Sequence, residues 1–201
     1  YVVLCSNCRF DCCWIYINCI YVKNEPIKKS LSPNEIITSP VSGDVIELIH
    51  VNDPLFANGI IGDGVAILSA DEVIYAPISG VVSVLYKTKH AIGITSDNGV
   101  ELLIHIGIDT VRLDGKYFKS YVQKGDRITL GQKLLSYNQK EVQLEGYDTT
   151  IMVIVTNSKK YDMNCYYGFD IREGEKIINI KWAKGKQMFP LVYRKQVKNE
   201  I

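Results

Sequence analysis

A chain of 201 residues, 47% of them hydrophobic, has enough apolar material to bury the core of one globular domain of ordinary size. Its 23 basic residues nearly balance 22 acidic ones, leaving a net charge of +1, and no basic stripe with interleaved aromatics runs through it. Nothing in this balance points to nucleic acid, and none is expected as a partner.

Five of the six cysteines, Cys5, Cys8, Cys12, Cys13 and Cys19, crowd into the first nineteen residues, and Cys165 stands alone. A domain otherwise free of cysteine argues against a disulfide framework and fits a reducing, cytosolic setting. Cys5 and Cys8 have CxxC spacing, but no second CxxC pair follows to complete a zinc knuckle. Arg9, Asp11 and Asn18 interrupt the apolar run of this segment, which is too short to span a bilayer and lacks a small-residue cleavage site. Residues 1–35, which open on Tyr1, read as a truncated or foreign leader and linker, and 23–40, rich in charge, serine and proline, as the linker's approach to the domain.

Beyond it the pattern is strand-like. The runs at 44–50, 64–68, 80–86, 91–95, 100–106, 133–137 and 150–156 are short and β-branched, bounded by Gly, Asp, Asn or Pro. Many short strands at turn-rich spacing predict an all-β, antiparallel sandwich or barrel. In NDPLFANG, Asp53 is placed to cap a short helix that Pro54 starts and Gly59 ends, and a second helix is predicted at 139–145. SPVSGDVIEL (39–48) and APISGVVSVL (76–85) echo each other, each with a Pro and a Gly imposing a turn before a strand, which suggests a partly duplicated architecture.

Two of the three histidines, His90 and His105, flank the SDNG turn at 96–99, where Asn-Gly is a strong hairpin signal. A two-residue loop at Asn98 and Gly99 sets Asp97 opposite Val100 and Ile92 opposite His105. His90 and His105 then become diagonal neighbours on one face, with Thr88, Ile92, Ile94 and Leu103. Ala91, Leu102, Ile104 and Ile106 fall on the other face, toward the core. Only an odd-numbered loop separates the histidines onto different faces. Two imidazoles in apolar company stay neutral, because desolvation disfavours the cation, and a neutral ring is a nucleophile.

Four uses of such a pair compete. Both rings are buried and hydrogen-bonded as ordinary core; or they bind zinc, which requires a third ligand from Asp109, Asp53 or His50 in a chain with neither HxH nor HExxH. An acyl-transfer dyad needs a serine or cysteine nucleophile, and no GxSxG-type elbow is present. The fourth use is covalent chemistry on histidine itself, one ring accepting a group while the other steadies it.

The stretch GVELLIHIGIDTVRL (99–113) resembles the active-site signature of the glucose-type IIA components of the bacterial sugar phosphotransferase system. The likeness continues through SPVSGDVIEL, NDPLFANGIIGDGVAI, APISGVVSVLYKTKHAIGI and QKGDRITLGQKLL to IREGEKIINIK, which implies a IIA domain of duplicated hybrid-motif type over 36–182. It also implies a cytoplasmic phosphotransferase component, with a phosphohistidine intermediate and neither metal nor cofactor. In that family the motif histidine, here His105, accepts phosphate from the phosphocarrier HPr and passes it to a cysteine of a IIB component. The only membrane association implied is through the permease. The resemblance makes His90 a donor to the phosphoryl oxygens, with Thr88 beside it. It sets Asp53 and Asp109 to meet a basic residue of HPr, and Phe56, Ile61, Tyr86, Ile92, Leu103 and Val111 as an apolar ring for docking.

The cysteine-rich leader and the tail at 183–201 have no counterpart in the family. Two other readings predict different findings: a lysostaphin-like zinc hydrolase on a related β fold, with stoichiometric metal, or a biotinyl- or lipoyl-type carrier module, suggested by APISGVV and KGDRITLGQKLL. The SDNG tip has no lysine for such a module to modify.

Overall fold

The computed structural model describes residues 34–183. The leader cysteines and the tail from 184 onward lie outside the described residues.

Among the described residues fourteen strands form: β1 (Asn34–Thr38), β2 (Gly43–Glu47), β3 (Asp63–Leu68), β4 (Val73–Tyr75), β5 (Gly80–Leu85), β6 (Ala91–Ser96), β7 (Glu101–Ile106), β8 (Phe118–Ser120), β9 (Arg127–Ile128), β10 (Lys133–Tyr137), β11 (Ile151–Val155), β12 (Tyr161–Cys165), β13 (Gly168–Ile171) and β14 (Lys176–Trp182). Two short helices accompany them, α1 (Pro54–Ala57) and α2 (Gln139–Leu144). Every strand pairing is antiparallel.

An eight-stranded sheet runs β13-β2-β3-β11-β7-β6-β5-β9, accompanied by three-stranded sheets β1-β14-β12 and β4-β10-β8. The long order reads alike from both ends when β2 is matched with β5, β3 with β6 and β11 with β7. The two small sheets match in the same way. One unit, β4 to β10, is continuous and is inserted between β3 and β11 of the other.

The echoed Pro-Gly segments mark this duplication. Thr38 N–H donates to Pro77 O at 3.0 Å, and Tyr75 N–H donates to Pro40 O at 2.9 Å, a reciprocal exchange between the copies. Each echoed glycine crosses close to another strand: a Cβ at Gly43 would lie 2.3 Å from Leu68 O, and one at Gly80 would lie 2.3 Å from Thr95 O. Neither position accepts a side chain without moving the backbone.

The main core joins Ile92, Ile94, Leu102, Ile104, Ile106, Ile151 and Val153 of the large sheet to Ile37, Ile178, Ile74, Leu134 and Leu135 of the small ones. A second, smaller cluster holds Leu48, Val51, Phe56, Ala66, Met152 and Ile154, alternate residues on β3 and β11, beneath the segment that carries α1.

Two expectations change. The 23–40 segment does not remain a linker to its end, since β1 begins at Asn34 and pairs with β14, burying Ile37 completely. The run at 44–50 is extended only to Glu47, after which Leu48–His50 winds into a 3-10 turn. That turn carries Leu48 into the second cluster.

Candidate functional site

The His-bearing hairpin β6–β7 has a different register from the one its sequence suggests. Thr95 lies opposite Glu101, Ile92 opposite Ile104 and Ala91 opposite His105. The loop therefore comprises three residues, 97–99. Gly99 takes φ +85° and donates to Ser96 O at 3.0 Å, the αL closure that a three-residue hairpin requires. The buried Ser96 hydroxyl also accepts from Asn98 N and Val100 N, fixing the loop at this length.

This register corrects the faces. Ile92 and Ile94 are fully buried in the main core with Leu102, Ile104 and Ile106, so Ile92 does not belong to an apolar ring around the histidines. Ala91 moves in the opposite direction and shares the His105 face. Strict alternation would then place His90 on the core side. It escapes because β6 starts only at Ala91 and the preceding Lys89 has φ +56°, which breaks the period-two rule.

The two rings are neighbours all the same, with centroids 4.9 Å apart and planes at 81°. Phe56 of α1 stacks at a tilt on His105 with centroids 5.1 Å apart, and Tyr86 meets the edge of His90 at 5.3 Å. Thr88 Oγ1 lies 2.5 Å from His90 Nδ1. His90 is buried, whereas His105 is half-buried. Ile61 and Leu103 are partly buried against the cluster that contains Phe56, and Tyr86 and Val111 are exposed.

Burial pushes the His105 pKa down to about 4, with His90 adding to the fall; the Gly107 backbone and Asp53 oppose it only in part. His105 Nδ1 is buried and has no hydrogen-bond partner. Burial lowers the His90 pKa as well. Both rings are thus held uncharged at neutral pH.

After β7 the backbone turns sharply. Gly107 has φ +73°, and a Cβ there would lie 2.5 Å from Asp148 O and from Thr110 Cγ2, so only glycine fits. The Thr110 hydroxyl ties the turn back by donating to Ile106 O at 2.6 Å.

The two candidate aspartates differ. Asp53 caps α1, accepting from Leu55 N at 2.8 Å, and its charge reaches His105. Asp109 stands at the start of the 3-10 turn Thr110–Leu113 with φ +59° and makes no side-chain cap. Its carboxylate instead meets Arg112 at 3.3 Å, an exposed pair. Neither Arg112 nor Met152, the residue opposite His105 on β11, stands out in the sequence as a site residue. The i,i+3 charge spacing offered a signal for Arg112; nothing local offered one for Met152. Among the described residues, no group of three His, Cys, Asp or Glu side chains is arranged to hold a metal ion.

A duplicated all-β scaffold presenting two uncharged, touching histidines at the margin of an apolar cluster defines the class of histidine-bearing carrier domains. Comparison with known proteins makes that class particular. The profile of the family described as phosphoenolpyruvate-dependent sugar phosphotransferase system, EIIA 1, matches residues 35–161, and the chain belongs to this family. It is 46% identical over 127 residues to the PTS system beta-glucoside-specific EIIBCA component of Halalkalibacterium halodurans, which covers 63% of this chain and 20% of that protein. It is 37% identical over 129 residues to the PTS system glucose-specific EIIA component of Bacillus cereus, covering 64% of this chain and 78% of that one. The solved glucose permease IIA from Mycoplasma capricolum superposes with a TM-score of 0.70 at 33% identity, over 74% of this chain and 96% of that chain. The chain thus spans about a fifth of the length of the EIIBCA relative and most of the free-standing EIIA. EIIA components are phosphotransferases of sugar transport that work through a phosphohistidine.

Proposed function

We propose that this chain accepts a phosphoryl group from phosphorylated HPr on His105 and passes it to a cysteine of a IIB component, in the cytoplasm. The observation that carries the reading is the neutral, half-buried His105 edge-on to His90. Because Nδ1 is the buried nitrogen, Nε2 is the atom that attacks. Its lone pair forms the new N–P bond as the donor's P–N bond breaks, and Nδ1 keeps its proton.

Transfer of this kind depends on positioning and charge stabilisation more than on extra reacting groups. Thr88 Oγ1 lies within hydrogen-bond distance of His90 Nδ1, and in the tautomer whose Nδ1 accepts from that hydroxyl the other ring nitrogen is protonated and donates to a phosphoryl oxygen. Ile61, Leu103, Tyr86 and Val111 supply apolar surface that excludes water from the phosphohistidine when a partner docks, with the buried Phe56 packed on the His105 ring beneath. Asp53 and Asp109 offer carboxylates to an arginine of the donor. The beta-glucoside-specific relatives, at 44–46% identity, make a IIB of that kind the first acceptor to try.

The test is incubation with phosphoenolpyruvate, the first general enzyme of the system and HPr. Acid-labile phosphate is expected on His105 and on nothing else, and His105→Ala, folded by circular dichroism, takes up none. His90→Ala is expected to accept phosphate yet pass it on poorly. Phosphate surviving in His105→Ala refutes the assignment, and normal onward transfer by His90→Ala refutes the role of His90.

A further inference from the structure

Asp109 does not wait for its partner unoccupied. Its carboxylate lies 3.3 Å from the guanidinium of Arg112, with the two side chains 54% and 68% exposed. The pairing is built into the local backbone: Arg112 N–H donates to Asp109 O at 3.0 Å, and residues three apart in a 3-10 turn project over one another. Asp109 also differs from Asp53 in lacking a backbone N–H partner for its side chain, so nothing else in the turn holds the carboxylate.

We infer that Arg112 is a specificity-determining residue for docking: it occupies Asp109 in cis and competes with the arginine of an incoming basic donor for the same carboxylate. This rests on the proposed phosphocarrier function. An exposed pair of this kind is weak and salt-screened, so an incoming guanidinium displaces it rather than being shut out. The cost falls on encounter. A basic partner approaches a rim on which the charge of Asp109, unlike that of Asp53, is already offset, and it gains the Asp109 contact only by releasing Arg112. Arg112 thereby favours partners that can offer the released guanidinium an acidic group of their own.

The experiment measures the rate of phosphoryl transfer from phosphorylated HPr to the wild type, Arg112→Gln, Arg112→Lys, Asp109→Asn and the double variant Arg112→Gln/Asp109→Asn, at low and at physiological ionic strength. Arg112→Gln is expected to lower the half-saturating HPr concentration about threefold to fivefold at low salt, within the range of exposed ion pairs, and less at higher salt. Arg112→Lys, which keeps the charge, stays near wild type. In the Asp109→Asn background, removing Arg112 has less effect, because the shared carboxylate is gone. A destabilised turn would raise the half-saturating concentration at every salt level and lower the melting temperature. An unchanged or raised value in Arg112→Gln, with the wild type phosphorylated on His105, overturns this inference alone. A wild type that takes up no phosphate on His105 overturns the proposed function and this inference with it.

Discussion

β7 and β11 are adjacent in the large sheet, and Met152 of one lies directly opposite His105 of the other. All five residues of β11 are buried, whereas β7 alternates, its odd-numbered residues only partly covered or exposed. The main core covers the same face of both strands. On the opposite face, the segment bearing α1 seals Met152 and Ile154 together with Phe56 but leaves Leu103 at the edge. His105 lies where that cover ends. It is buried enough to lose its charge and open enough to react, which no fully covered position on β11 would allow.

The sharpest way to break this comparison is to truncate both faces of β7. Ile104→Ala, in the main core, is expected to lower unfolding free energy by about 2–5 kcal/mol, and Leu103→Ala by about 1, since less of its surface leaves water. Urea denaturation measures both. Equal losses would show that the site face is packed as tightly as the core.

Acid reaches the same margin. The native His105 titrates near about 4 and the unfolded ring near 6.5, so between those values the unfolded chain binds more protons. Stability therefore rises with pH across that window and falls as acid is added, by about 3 kcal/mol from this residue. His105→Gln is expected to flatten that part of the stability profile. An unchanged slope in the variant would mean that the ring is not held neutral by its surroundings.

The smallest effect separates two uses of one aspartate. Asp53→Ala loses the cap of α1 and about 1 kcal/mol, while Asp53→Asn keeps the cap. Both remove the charge that raises the His105 pKa, so NMR titration of the ring is expected to move further down in either variant. A shift in Asp53→Ala alone would assign the effect to helix loss instead.

Much of this molecule was legible from local chemistry. Asp53, Pro54 and Gly59 announced α1, the helix expected at 139–145 forms over Gln139–Leu144 as α2, and the seven clearest β-branched runs all contain strands. The missed strands β4, β8 and β9 have three residues or fewer, while β1 pairs with β14 and β13 with β2 from far along the chain, and β12 joins the same small sheet through β14. The shortest of them give no window long enough for period two to emerge. At the site, the expected loop length was wrong by one residue, which moved Ile92 and Ile94 into the main core and turned Ala91 to the His105 face.

The sequence by itself determined the all-β class, the cap of α1, the Pro-Gly duplication and the motif that names the family, because these follow from short-range backbone preference and residue identity. Tertiary structure decided the hairpin register, the turn that brings His90 beside His105, and the point on β7 where cover gives out. Those depend on what packs against each strand from distant parts of the chain. Burial, and with it the charge state of a histidine, is a property of neighbours that local spacing does not specify.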